Sequence, residues 1–277
     1  MTLRTARGAD QRLRAFAYSV PIGLVGGLIG LGGAEFRLPV LAGPLRHPAR
    51  QAVPLNLLIS LFTLVSALVF RSASLSPPIE TAWLDVVGPL IIGSVVAAYL
   101  GTGLIRYVSN RRLHQTILAL LTGIGVLLIV EGVLPNHAQG LQLAAPAVRA
   151  GTALLAGALI GLVSSMLGVA GGELIIPTLL FLFSFDIKTA GTASLIISLP
   201  MVVVGSVRYA RQGAYTRASL AGTVAPMGAG SLIGAAVGGM LVSFVWPAAL
   251  KLFLGVILIA SAIRIFSHEN AKTVAAV

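Results

Sequence analysis

The sequence predicts an all-α integral membrane protein made of two inverted repeats, each with a glycine-rich re-entrant or broken helical hairpin plus three spanning helices. Three observations carry this reading. Apolar residues make up 57% of the 277 residues and charged residues only 10%, where a soluble domain carries about 25% charged. A glycine motif occurs twice, once in each half. The Lys and Arg residues gather at one set of segment ends, the pattern of cytoplasmic loops.

The motif copies are Gly30-Leu31-Gly32-Gly33-Ala34-Glu35-Phe36-Arg37-Leu38-Pro39 and Gly168-Val169-Ala170-Gly171-Gly172-Glu173-Leu174-Ile175-Ile176-Pro177. An ungapped offset of 138 residues pairs Gly33 with Gly171, Glu35 with Glu173 and Pro39 with Pro177. The duplication continues through Ser60 and Ser198. At an offset of 137 it reaches Pro89, Gly93, Ser94 and Gly101 against Pro226, Gly230, Ser231 and Gly238. Glycines inside an apolar run let the chain leave the helix and let backbone or ligand approach closely. Matched Gly-interrupted segments in two halves are the best sequence pointer to a transporter's binding site.

In chain order, residues 1–14 form a basic cytoplasmic segment with Arg4, Arg7, Arg12 and Arg14. They resemble the start of a signal peptide, but the apolar run that follows leads straight into the motif, so cleavage is not expected. The first repeat covers 15–133, with apolar segments at 15–30, 34–44, 52–70, 83–105 and 113–133. An extracytoplasmic linker follows at 134–147, around Pro135-Asn136-His137. The second repeat covers 148–266, with segments at 148–167, 173–184, 190–207, 218–243 and 248–266, and a cytoplasmic tail closes the chain at 267–277. Most segments approach the ~20 residues that span a bilayer. Those after the motifs have about a dozen, enough for roughly half the hydrocarbon core.

If each motif is the tip of a hairpin, only Arg71, Arg149, Lys188 and Lys251 lie outside and Arg37 lies in the membrane. A continuous crossing at each motif would send Arg46, Arg50, Arg106, Arg111 and Arg112 outside instead, so the positive-inside rule favours hairpins. Each half then crosses three times beyond its hairpin. Three is odd, so the second half is inverted and the tips enter from opposite faces.

A half-helix starting at a tip points its free N–H groups and positive dipole end at the midplane, which favours an anion. The substrate-binding candidates are therefore Gly32, Gly33, Ala34, Gly171 and Gly172 at the tips, with Asn56, Ser60, Thr192, Ser194 and Ser198 on the helices that follow. Interhelical hydrogen bonding is the competing role for these polar side chains. Glu35 and Glu173 are either proton-coupling carboxyls or caps that complement the half-helix dipole. Arg37, matched by Ile175, either attracts the anion or pairs with an acid. Gly230, Gly234 and Gly238, echoed by Gly93, Ala97 and Gly101, read as close helix packing. His47, His114, His137 and His268 sit at segment ends without metal spacing, and His47, His114 and His268 read as solvated.

On these motif copies and their placement in two halves, the chain resembles the TauE/SafE, or sulfite exporter, family over nearly its whole length. The resemblance implies a secondary transporter of small sulfur-containing or organic anions, such as sulfite, sulfoacetate or other sulfonates. Ala34 and Ala170 stand where the family's glycine run would lead one to expect glycine.

No cysteine is present, no His-Glu-x-x-His metal motif, no Gly-x-Ser-x-Gly elbow and no ATP-binding loop. The reading is therefore a non-enzyme without catalytic residues, metal or cofactor. It moves a small anion by alternating access, with proton coupling through the glutamates as one option, in the cytoplasmic (inner) membrane as a multi-pass protein. A passive anion channel is the runner-up and an intramembrane enzyme a more distant one. The partners are the anion and membrane lipid, with homo-oligomers allowed. The net charge of +11 is assigned to cytoplasmic loops rather than to nucleic acid.

Overall fold

The structure, a computed structural model, describes residues 2–74, 81–104, 110–133, 145–167 and 169–274. Gly168 and most of the predicted linker, with Pro135, Asn136 and His137, lie outside the described residues. The elements are α1 (Thr2–Ile29), α2 (Ala34–Ala42), α3 (Ala49–Ser74), α4 (Thr81–Leu104), α5 (Asn110–Val133), α6 (Pro146–Leu167), α7 (Gly172–Phe183), α8 (Ile187–Arg211), α9 (Arg217–Leu241) and α10 (Pro247–Val274). A π-helical turn at Leu220–Val224 lies inside α9. No strand occurs among the described residues.

Gln51–Ser74, Pro146–Ser165, Ile187–Arg211 and Arg217–Leu241 are long and apolar enough to cross a membrane. Ile92, Leu100, Leu155, Leu159, Phe244 and Trp246 are exposed. Apolar exposure on that scale marks a surface made for something other than water, here lipid. The protein is a multi-pass membrane protein.

Each motif interrupts the helical run with a left-handed turn. Gly33 (φ 71°) and Gly171 (φ 79°) are left-handed N-caps of α2 and α7, a conformation that costs other residues about 1–2 kcal/mol. A Cβ built on Gly33 would stand 2.9 Å from the Ile22 carbonyl oxygen, so the turn lies flat on α1. Leu41 and Leu45, after the turn, share a hydrophobic cluster with Ala15 at the middle of that helix. In the second half Phe183 shares a cluster with Ala153 in the same way.

The halves hold each other through glycine seams. A Cβ on Gly23 would stand 2.6 Å from Ser231 O, and one on Gly27 2.5 Å from Ala235 O. In return, one on Gly234 would meet Val20 O at 2.0 Å and one on Gly238 would meet Leu24 O at 2.2 Å. Residue numbers climb together, so α1 and α9 run parallel with touching backbones. The predicted packing role of Gly230, Gly234 and Gly238 thus has α1 as its partner. The α4–α6 pair repeats this: Gly157 and Gly161 face Leu90 and Ser94, and Gly93 faces Leu154. By contrast α3 and α8 pass antiparallel, with Leu57 at Gly205 and Arg71 at Lys188. So do α5 and α10, with Gly125 at Gly255 and Gly132 at Leu252.

Several sequence expectations change here. The first helix starts at Thr2, so the basic segment continues into the first apolar run without a break. Arg71, assigned to an outer loop, is wholly buried within α3. Lys251 is ion-paired with Glu131 at 2.6 Å, tying α10 to α5. His47 Nε2 lies 2.9 Å from the Thr223 hydroxyl and is not simply solvated.

Candidate functional site

The two motifs touch. A Cβ on Gly172 would stand 2.9 Å from Leu31 Cα, one on Gly32 3.5 Å from Ala170 Cβ, and one on Gly30 2.2 Å from the Gly191 carbonyl oxygen of α8. Only residues this small let the backbones meet. Neither α2 nor α7 has a side-chain cap at its N-terminus. Apart from Leu174 N, which bonds the Gly171 carbonyl at 3.0 Å, their first-turn amides lack the intrahelical acceptor of a helix interior, and the positive ends of two short helices converge on the place where the tips meet.

Arg37, one turn into α2, is wholly buried. It spreads its guanidinium over neutral acceptors. Nη1 donates to Ser60 Oγ (3.0 Å) and Asn56 Oδ1 (3.4 Å). Nη2 donates to Thr63 Oγ1 (2.7 Å), Ser231 Oγ (3.3 Å) and the Gly32 carbonyl (3.3 Å). Its Nε is buried without a hydrogen-bond partner. Asn56 and Ser60 are built into this cradle: Asn56 Nδ2 donates to Ala34 O (3.0 Å) and Ser60 Oγ to Asn56 O (2.8 Å). Both serve the guanidinium first. A buried charge without a directly bonded carboxylate is expensive, and here it lies beside the converging helix ends.

Both Glu35 carboxylate oxygens are buried. Neither has a hydrogen-bond partner, and the Glu173 carboxyl and the Arg37 charge lie within electrostatic reach. Glu173 is also buried. One acid from each half thus faces the other across the contact between the halves.

The second half differs. Ile175 replaces Arg37, and the Ser194 and Ser198 hydroxyls, matched to Asn56 and Ser60, are buried with no hydrogen-bond partner. Helical serines usually bond the carbonyl four residues back. These two leave their hydroxyls uncommitted, with Ser194 Oγ 3.2 Å from where a Gly172 Cβ would stand. Thr192 serves another group: it accepts from Arg71 Nε (3.1 Å) and donates to Lys188 O (3.0 Å).

Residues 15–265 match the family described as Sulfite exporter TauE/SafE. The chain belongs to that family. TauE/SafE proteins are membrane transporters, not enzymes, and the family is one of sulfite and related anion exporters. No curated protein and no solved structure matches the chain.

Sequence reasoning missed part of this TauE/SafE site. Thr63 lies three residues beyond Ser60 and seven beyond Asn56, the spacing of one helix face, so it was within reach of the same argument. Ser231 was visible as the repeat partner of Ser94, but nothing linked it to Arg37. A cleft beside the second tip was not foreseen at all. Its inner wall includes Ser164, Val169 and Met201, and its outer wall Tyr99, Arg208 and Tyr209. No group of acids and histidines that could hold a metal ion occurs among the described residues.

Proposed function

We propose that this TauE/SafE protein is a secondary transporter that moves a small oxyanion, sulfite or a sulfonate, across the cytoplasmic membrane by alternating access. The substrate is held where the two glycine tips meet. The observation that carries this reading is the contact between two uncapped half-helix starts beside a buried, neutrally solvated Arg37. Amide donors suit an oxyanion's several acceptor oxygens, and Arg37 supplies a fixed charge. Ser194 and Ser198 have hydroxyls to spare for the same ligand.

Two inverted repeats are the frame for this cycle. The antiparallel passage of α3 against α8, and of α5 against α10, supports that reading, because each pair joins equivalent helices of the two halves. The tips then act as re-entrant hairpins from opposite faces. Substrate sites at such repeat interfaces suit rocking of one unit against the other.

A negative interior already drives anions outward, by roughly 2.3 kcal/mol per charge per 100 mV. Export therefore needs no coupling ion, whereas uptake needs one. In this reading Glu35 and Glu173 carry the compensating proton. The test is flux from proteoliposomes loaded with radiolabelled sulfite or sulfoacetate, with and without a pH gradient. Saturable efflux above that of protein-free liposomes is expected. Efflux no greater than from empty liposomes, for sulfite, sulfoacetate and a simple carboxylate alike, overturns the proposal.

A further inference from the structure

The two ends of the site are built differently, and the repeat shows how. At the 138-residue offset, Arg71 corresponds to Tyr209, Gly27 to Ser165, Thr63 to Met201 and Ala67 to Gly205. Around Arg71 the structure is sealed. Its Nη1 donates to Leu28 O (2.6 Å) and Gly27 O (3.1 Å), its Nη2 to Lys188 O (2.8 Å) and its Nε to Thr192 Oγ1 (3.1 Å). All three guanidinium nitrogens are bonded, and they join the end of α1 to the start of α8. Such charge-assisted bonds are roughly twice as strong as neutral ones.

At the equivalent place on the other side stands Tyr209, which has one hydroxyl in place of a fork of donors. There the cleft opens instead, lined by Ser164, Ser165, Met201, Gly205, Arg208 and Tyr99. Its inner end reaches the tip. A Cβ on Gly171 would stand 2.5 Å from Ser164 Oγ and 3.1 Å from Met201 Cε, and both side chains are buried. At its outer end Tyr99 is exposed and Arg208 half-buried. The Arg208 guanidinium lies 5.5 Å from the Tyr99 ring centre and donates to the Tyr99 carbonyl.

We infer that this cleft is the route by which a small oxyanion passes between the tips and the side on which α8 ends, with Arg208 the cation at its mouth, and that Arg71 seals the equivalent route on the opposite side. The inference rests on the inverted-repeat reading above and adds the access route to it. A partly exposed cation at the mouth of a low-dielectric cleft concentrates anions there, in a salt-dependent way. Arg71, wholly buried and bonded through all three guanidinium nitrogens, plays no such part. It must give up its bonds to α1 or α8 before the opposite side opens.

The chain has no native cysteine, which makes single-cysteine labelling direct. Gly205→Cys and Ala67→Cys mark equivalent positions on the two routes. A Gly205 Cβ meets only Leu57 Cδ1, at 3.5 Å, so the substitution fits. Membrane vesicles of both orientations are exposed to a charged, impermeant methanethiosulfonate, with sulfoacetate as the probe anion. Gly205→Cys should label from the side on which α8 ends and be protected by sulfoacetate. Ala67→Cys should label slowly and only from the opposite side, then much faster from that side once Arg71→Gln is added. Should that variant fail to insert, Arg71→Lys, which keeps the charge and loses the fork, should produce the same change. Adding Arg208→Gln to Gly205→Cys should raise the sulfoacetate needed for protection by roughly fivefold at low salt. Inert Gly205→Cys, or Ala67→Cys that labels equally fast with Arg71 intact, overturns the route. Unchanged protection in Arg208→Gln overturns the role of Arg208. Flux measured in the same vesicles separates the two claims. Flux without this labelling pattern removes the route and leaves the transporter reading standing. The pattern without flux of sulfite or sulfoacetate does the reverse.

Discussion

Replacing Arg37 with isoleucine, the residue that holds the matching place as Ile175, separates a substrate-attracting charge from a structural one. The substitution strips a donor from Asn56, Ser60, Thr63, Ser231 and the Gly32 carbonyl. The three hydroxyls can rotate to other acceptors. The Gly32 carbonyl cannot, and its lost partner costs about 1–3 kcal/mol. Against that, the variant no longer buries a guanidinium, which in a protein interior costs several kcal/mol. The two nearly offset, so stability should stay within about 2 kcal/mol of wild type. Transport should not. A Cβ on Gly33 would stand 3.6 Å from Arg37 Nη2, and an anion on the tip amides is taken at about 4–5 Å from the charge. At an effective dielectric constant of about 20, that attraction is roughly 3–4 kcal/mol. The half-saturating sulfite concentration in proteoliposome flux should therefore rise roughly 100- to 700-fold. Thermal unfolding in detergent, run in parallel, reports the structural cost. Arg37→Ile with half-saturation within about fivefold of wild type, at equal protein, would refute an electrostatic role for the guanidinium.

Three further expectations follow from the same geometry. Alanine at Gly33 or Gly171 already brings a Cβ to 2.9 Å from the Ile22 carbonyl oxygen or 2.5 Å from Ser164 Oγ; each variant should lose at least about 1–2 kcal/mol of stability in unfolding assays, and its flux should fall further than its folded fraction. Glu35→Gln and Glu173→Gln should retain sulfite exchange and lose the response to a pH gradient if the carboxyls carry the proton; an unchanged pH response in both variants would assign them a structural role. Lys251→Met strands Glu131 between α5 and α10 and should lower stability by about 1–3 kcal/mol, while Lys251→Met with Glu131→Leu should recover most of the loss, as a double-mutant cycle would show.

The glycine motifs were legible in the sequence because backbone that leaves a helix inside an apolar run has few chemical solutions. The structure puts Gly33 and Gly171 in left-handed turns at the starts of α2 and α7. The Gly230, Gly234 and Gly238 seam was legible as packing, but its partner was not. Periodicity marks one face of a helix and cannot say which distant helix covers it. Arg71 was misplaced because a count of basic residues treats an arginine near a segment end as loop. Four bonds to backbone and threonine allow this one to be buried. Asn56 and Ser60 read as ligand-lining from their place after the hairpin, yet an arginine on a neighbouring element claims them. Which of two polar groups a third will serve is decided by tertiary distance, which spacing along the chain does not encode.

The seam between α1 and α9 also has a consequence for how the protein is made. Helix α1 finds its backbone partner only when residues 217–241 emerge, roughly 200 residues and, at ~5–20 residues per second, about 10–40 s later. Until then the faces around Gly23 and Gly27 stand open in the membrane. The matching pair, α4 and α6, is complete as soon as the second half begins. A nascent chain therefore assembles the α4–α6 pair before α1 is anchored. A chain stopped before α9 keeps that central pair but leaves α1 without its seam partner and Arg37 without its bond to Ser231.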